Sequence, residues 1–171
     1  MNDESNAKLL DQSLRIPSGI DGLDEILNGG LTTHRLYLVE GNPGAGKTTT
    51  AILRARSALQ RGEKVACYLF DEGLNTFLMR SGALGMDVQA FIDSGQLDLK
   101  QIDPAALSPG EFTCMVREAV EGGATMVVVD SLNAYLQAMP GEKFLLLQMH
   151  EMLSYLGTTP MLHENGLAHV T

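Results

Sequence analysis

This 171-residue chain is poor in cysteine and in basic side chains, and it has no long apolar run. Its two cysteines, Cys67 and Cys114, are too few and too isolated for a disulfide framework, and neither spacing suits a metal site. Both lie among apolar neighbours and are expected to be buried thiols in a reducing cytoplasm. Lys and Arg total 12 against 21 Asp and Glu, a net charge of −9. That balance argues against a large basic footprint for nucleic acid, although a local patch stays open. No stretch reaches the roughly 18 uncharged apolar residues that a membrane helix requires. Met1 to Asp11 is polar and lacks the apolar core of a signal peptide. Residues 1–13 are therefore expected to be a flexible lead-in. The four histidines, His34, His150, His163 and His169, are too dispersed to form a metal cluster.

Hydrophobic residues make up 44% of the chain, enough for a real core, and the length suits one domain. The most informative segment is Gly41-Asn42-Pro43-Gly44-Ala45-Gly46-Lys47-Thr48, a complete G-x-x-x-x-G-K-[ST] match. Glycines at these positions allow tight turns and bring main-chain N–H groups close to phosphate oxygens. Lys47 is expected to reach the β- and γ-phosphates, Thr48 to contribute its hydroxyl to Mg²⁺, and Thr49 to complete the nucleotide-binding stretch. The helix that follows points its positive end at the same anion. The flanks fit. Arg35 to Glu40 is a short strand-type run, and Thr48 to Arg61 carries Ala51, Ile52, Ala55, Ala58 and Leu59 at helical spacing, closed by Gly62.

Further strands are expected at Lys64–Phe70, Gln96–Asp103 and Thr125–Asp130. Helices are expected at Leu74–Ser81, Asp87–Ser94, from Ser108 to about Glu121, and at Glu142–Leu156. Ser108, Pro109 and Glu111 spell a capping box with proline at the first helical position. Leu145, Met149, Met152 and Leu156 share one helical face, and the methionines between Met139 and Met161 read as core filler. Alternating strands and helices imply a parallel sheet covered on both faces. Ligands then bind beyond the C-terminal ends of the strands. Glu40, Asp71, Glu72 and Asp130 all occupy such ends and should cluster near the phosphate loop.

Asp130 closes an apolar strand in the hhhhD pattern that acts on Mg²⁺ in nucleotide triphosphatases. The alternative is an ordinary strand-end cap. Asp71 and Glu72 suit a different task, orienting the water that attacks the γ-phosphate; a solvated turn is the competing account. Ser131 and Asn133 could sense the γ-phosphate, but spacing alone does not assign that role.

Together these motifs resemble the KaiC family of RecA-superfamily ATPases. The segment from Arg15 to Leu31, with Ser18-Gly19-Ile20-Asp21-Gly22-Leu23-Asp24-Glu25-Ile26-Leu27-Asn28-Gly29-Gly30-Leu31, is similar to that family's lead into the phosphate loop. Phe70-Asp71-Glu72 is similar to its paired acidic residues, and Val129-Asp130-Ser131 to its Walker B end. The resemblance covers about residues 15–157. It implies an α/β, RecA-like P-loop fold of three layers with a mostly parallel sheet, in a domain spanning 14–157. It also implies ATP and Mg²⁺ as cofactors, and a ring-like homo-oligomer with nucleotide at subunit clefts. Where the family usually has Glu-Glu, this chain has Asp71-Glu72, so slower hydrolysis is expected. The family inserts a strand between the two Walker strands, and Gly157–Glu164 is the expected candidate despite Pro160. Residues 158–171 then form an atypical tail with a possible short strand, and the sheet is expected to be incomplete at the C-terminus. Trans-acting Lys or Arg groups beyond that strand would be missing; an arginine finger is worth about 10³–10⁵ in rate.

Three functions follow from these expectations. The first is a cytoplasmic, Mg-dependent ATPase. The second is a nucleotide-binding switch or interaction module that does not hydrolyse. The third, a recombinase-like DNA-binding ATPase, is disfavoured by the low basic content. Self-association is expected through a free sheet edge near the C-terminus, giving a dimer or a larger ring.

Overall fold

Apolar runs four to five residues long, punctuated by glycine-rich turns and amphipathic helices, build a layered α/β domain. The computed structural model describes residues 15–33, 35–103, 105–138, 142–158 and 167–170. A short lead-in holds β1 (Arg15–Ile16), α1 (Asp21–Ile26) and β2 (Leu31–Thr32), with β1 and β2 paired antiparallel. The main body runs β3 (Arg35–Leu38), α2 (Lys47–Gln60), β4 (Val65–Leu69), α3 (Leu74–Ala83), α4 (Val88–Asp93) and β5 (Leu97–Gln101). It continues with α5 (Pro109–Glu121), β6 (Met126–Asp130), α6 (Leu132–Ala138), α7 (Glu142–Thr158) and β7 (Leu167–Val170).

Among the described residues, β3, β7, β6, β4 and β5 lie in that order in one sheet, and every neighbouring pair is parallel. All five residues of β4 and of β6 are buried. Such strands must be apolar on both faces because helices cover both. The pleat sends alternate residues to opposite sides. Ala66, Tyr68, Phe70, Val127 and Val129 pack with Phe112, Val116 and Val120 of α5, Tyr135 of α6, and Met149, Met152 and Leu156 of α7. Val65, Cys67, Leu69, Met126 and Val128 pack with Ala51, Ile52, Ala55, Ala58 and Leu59 of α2 and with Phe77 of α3. The three-layer α/β arrangement of the RecA-like P-loop fold is therefore present.

Local signals set the helix ends. Ser108 Oγ accepts from the Glu111 N–H at 3.3 Å while Glu111 Oε2 accepts from the Ser108 N–H at 2.8 Å, a reciprocal capping box. Gly62, at φ +85°, ends α2, and the next N–H, of Glu63, bonds the Ala58 carbonyl. Asp87 caps α4 through the Ala90 N–H.

Three expectations need correction. The strand between β3 and β6 is Leu167–Val170, not Gly157–Glu164. Gly157 and Thr158 still belong to α7, and 159–164, with Pro160, lie outside the described residues. That C-terminal strand is interior to the sheet, so the free edges among the described residues are β3 and β5 rather than the C-terminus. Cys114 is exposed, because it lies on the solvent side of α5 opposite Phe112, Val116 and Val120; Cys67 is buried as expected. The N-terminal residues 1–13 also lie outside the described residues.

Candidate nucleotide site

The phosphate loop leaves the end of β3 and returns as α2. Gly44 and Gly46 adopt φ of +82° and +92°, a region closed to most side chains, and a Cβ at either would meet no protein atom within 4 Å. Gly41 is tighter, since its Cβ would lie 3.1 Å from that of Ala45. Asn42 accepts from the Ala45 N–H at 3.0 Å, which closes the turn over Pro43 and Gly44. α2 has 14 residues, no side-chain cap and no acidic residue in its first turn. Its leading N–H groups are thus free of a competing carboxylate, the condition under which a helix start accepts an anion. Lys47 lies across the mouth of the loop, its Nζ donating to the carbonyls of Gly41 at 2.9 Å and Asn42 at 3.3 Å. Thr48 and Thr49, half-buried, occupy the first turn, and Thr50 Oγ1 donates to the Gly46 carbonyl.

A cleft of about 640 Å³ opens beside this loop. Leu38, Val39, Glu40, Gly41, Asn42 and Lys47 line one wall, and Leu132 and Asn133 line the other. Glu40 and Asn133 therefore do reach the loop's surroundings.

Parallel register brings the acidic residues together. Leu69 of β4 pairs with Asp130 of β6, and the Phe70 N–H donates to the Asp130 carbonyl at 2.7 Å. The two chains therefore leave the sheet side by side. Ser131 Oγ donates to Asp71 Oδ2 at 2.6 Å and accepts from the Ala134 N–H, linking an acidic residue 60 positions away to the start of α6. Phe70 anchors this strand end. Its ring packs edge-on to Phe112 and Tyr135, each at 5.1 Å between centroids; such pairs contribute about 1 kcal/mol beyond burial. Asp130 is 6% exposed.

Glu72 turns away toward α3. Arg80 NH2 lies 2.9 Å from Glu72 Oε1, and NH1 donates to Oε2 at 3.3 Å. Burial pushes the Glu72 carboxyl above its ordinary range; Arg80 pulls it down and Asp130 adds to the push. The acidic pair is thus divided: Asp71 is tied to Ser131, and both oxygens of Glu72 are engaged by one guanidinium. Arg80 was not singled out by sequence reasoning. The signal was there, since an arginine in the last turn of a helix can turn back along it toward an acidic residue that precedes that helix.

A second feature escaped sequence reasoning. Arg54 of α2 is 1% exposed and donates NH1 to the Pro17 carbonyl at 2.8 Å. Burial pulls its guanidinium down to about 10, with Arg61 adding to the fall and Glu63 and Asp24 opposing it. Ser57 and Arg61 converge on the same carbonyl, and Ser18 donates its N–H to Asp24 Oδ1 at 2.7 Å. The glycine-rich lead-in therefore docks on the phosphate-loop helix through the Pro17 carbonyl. Helical spacing from Ala51, Ala55 and Ala58 already places Arg54 on the buried face.

Among the described residues, no group of three or more His, Cys, Asp and Glu could hold a metal. Thr48 and Asp130 supply a hydroxyl and a carboxylate, hard oxygen donors of the kind Mg²⁺ prefers. His150 is exposed on α7, His169 falls in β7, and His34 and His163 lie outside the described residues. No helix among the described residues is long and apolar enough to cross a membrane.

Fold and loop define an α/β P-loop protein of RecA type. The family described as ATPase: KaiC matches residues 16–166, and the chain belongs to it. A UPF0273 protein of Pyrococcus horikoshii is 26% identical over 162 residues, covering 85% of this chain and 66% of its own length. A UPF0273 protein of Thermotoga maritima is 26% identical over 166 residues, 86% of this chain and 68% of its own. The circadian clock protein KaiC2 of Synechocystis is 33% identical over 93 residues, 54% of this chain and 16% of its own. The chain thus spans about two thirds of the UPF0273 relatives and a small part of the clock protein.

Proposed function

We propose that this domain binds ATP with Mg²⁺ and hydrolyses it slowly. The observation that carries the reading is a cleft lined by Gly41, Asn42 and Lys47 of the loop and by Leu132 and Asn133, which follow closely on Asp130 at the end of β6 and on Ser131, the partner of Asp71. Main-chain N–H groups of Gly44 to Thr48 and the Lys47 ammonium would hold the phosphates, with Lys47 exchanging the Gly41 and Asn42 carbonyls for phosphate oxygens. Thr48 and Asp130 would hold Mg²⁺, which would supply neutralisation of phosphate charge. A carboxylate oxygen of Asp71 or Glu72 accepts a proton from water as that water's oxygen bonds to the γ-phosphorus. The bond to the bridging oxygen breaks, and its electron pair leaves with ADP. Asp71 has its Oδ2 on Ser131, and Glu72 has both oxygens on Arg80.

That second contact favours an alternative reading, a nucleotide-binding module with little turnover. Calorimetric titration of Mg·ATP and Mg·ADP into the parent and Lys47→Ala proteins tests binding. A parent that takes up nucleotide and a variant weaker by tenfold or more support the loop's role; equal affinity removes it. Phosphate release that falls at least tenfold in the Asp71→Asn, Glu72→Gln double variant supports hydrolysis. Binding without release supports the module.

Self-association belongs to the same proposal. Leu36 and Leu38 are exposed on the edge strand β3, Leu38 at 56%, and an exposed apolar edge invites pairing. A sedimentation mass that stays at one chain across a concentration series would remove this part. The dependence on ATP makes the cytoplasm the expected place of work.

A further inference from the structure

We propose that Arg80 is a latch that holds Glu72 out of the hydrolytic reaction, so that loosening it raises turnover. The inference rests on the hydrolytic reading of the carboxylate pair and adds a regulatory contact to it.

The geometry has three parts. First, the contact is two-pronged: NH2 to Oε1 at 2.9 Å and NH1 to Oε2 at 3.3 Å. A planar fork facing both oxygens fixes the direction of the carboxylate as well as its charge. Each oxygen keeps a second lone pair, but the carboxylate is held facing the guanidinium, and its basicity toward a water proton is lowered by that charge. Second, the two ends of the latch belong to different parts of the site. Glu72 lies just past β4, beside Asp71 and the Asp130 strand end, whereas Arg80 lies in the last turn of α3. A small shift of α3 along or about its axis changes the contact without disturbing the strand ends. Third, the pair is unevenly covered. The Glu72 side chain is 13% exposed and the Arg80 side chain 40%, so the arginine end is open to solvent and to competition by an incoming anionic group.

The test compares parent, Arg80→Gln, Arg80→Ala and Arg80→Lys with and without Glu72→Gln. Steady-state phosphate release gives kcat and KM for Mg·ATP. Carboxyl ¹³C signals of glutamate-labelled protein report Glu72 without turnover. A half-buried ion pair restrains its members by about fivefold. The latch predicts kcat up about fivefold in Arg80→Gln and Arg80→Ala at constant KM, and an intermediate rise in Arg80→Lys, which keeps the charge but loses the fork. It also predicts no rise from either substitution in the Glu72→Gln background. The Glu72 carboxyl signal should titrate at higher pH in Arg80→Gln. Arg80→Gln keeps most of the alkyl stem and serves if Arg80→Ala unfolds. Turnover in the parent with no rise in Arg80→Gln overturns the latch and leaves hydrolysis standing. A Glu72 signal unmoved by Arg80→Gln overturns it as well. Absence of phosphate release from the parent and every variant sinks the hydrolytic reading and the latch together. Release from Arg80→Gln alone supports both.

Discussion

A Cβ on Gly30 would fall 2.0 Å from the carbonyl oxygen of Ile16. The contact arises where β1 pairs with β2, and Gly30 also holds φ +117°, outside the range of ordinary side chains. Both facts belong to the lead-in that docks on α2 through Pro17. Gly30→Ala must move backbone as well as adopt a strained dihedral, at a cost of about 3 kcal/mol. A thermal midpoint about 10 °C lower is expected by calorimetry. A midpoint within 2 °C or so of the parent would mean that the lead-in is not packed as described.

Ser131 serves two neighbours, donating to Asp71 and capping α6 at Ala134. Ser131→Ala is expected to release Asp71 and lower kcat roughly tenfold, the lower end of the scale for one hydrogen bond to a charged group. KM for Mg·ATP should stay within twofold, because the loop that grips phosphate is untouched. Ser131→Thr keeps the hydroxyl and should restore most of the rate. A kcat equal to the parent's in Ser131→Ala would separate Asp71 from the chemistry.

Three buried acids make the domain sensitive to alkali. Burial pushes the Cys67 thiol and the Tyr68 phenol well above their ordinary values, and Tyr135 up to about 12 from 10.0. The folded chain keeps these protons where the unfolded chain has released them. Unfolded protein therefore binds fewer protons, and stability falls as pH rises. The loss begins near 9, where an unfolded cysteine titrates, and continues through about 12. Urea midpoints measured between pH 7 and 10.5 should decline, and the decline above pH 10 should be shallower in Tyr135→Phe. A flat profile would contradict the burial of these groups.

The two thiols should behave differently. Cys114 is exposed and Cys67 buried, so a thiol reagent should label one cysteine per chain under native conditions and two in denaturant. Mass mapping should find the native label on Cys114. Rapid native labelling of Cys67 would mean that the β4 core opens readily.

Much of the layout was legible because its causes are local. Glycine, proline and capping residues act within a few positions, so Gly62, Asp87 and the Ser108–Glu111 box marked real helix ends. The buried strands β4 and β6 announced themselves as unbroken apolar runs. Cys114 is exposed because helical period sets it opposite Phe112 and Val116; apolar neighbours in sequence are not neighbours in space. The interior strand was expected ten residues too early. Leu167–Val170 has only four residues, and its place comes from hydrogen bonds to β3 and β6, partners more than 30 positions away.

The sequence by itself determined the phosphate loop, the alternation of strand and helix, and the carboxylates at strand ends, since each depends on residue type and short-range spacing. Only the tertiary structure decided how those carboxylates are held. Asp71 meets Ser131 because β4 and β6 are in parallel register, and Glu72 meets Arg80 because the arginine side chain reaches back from the last turn of α3 to the segment before that helix. Long-range register and helix docking choose side-chain partners, and no local pattern encodes that choice.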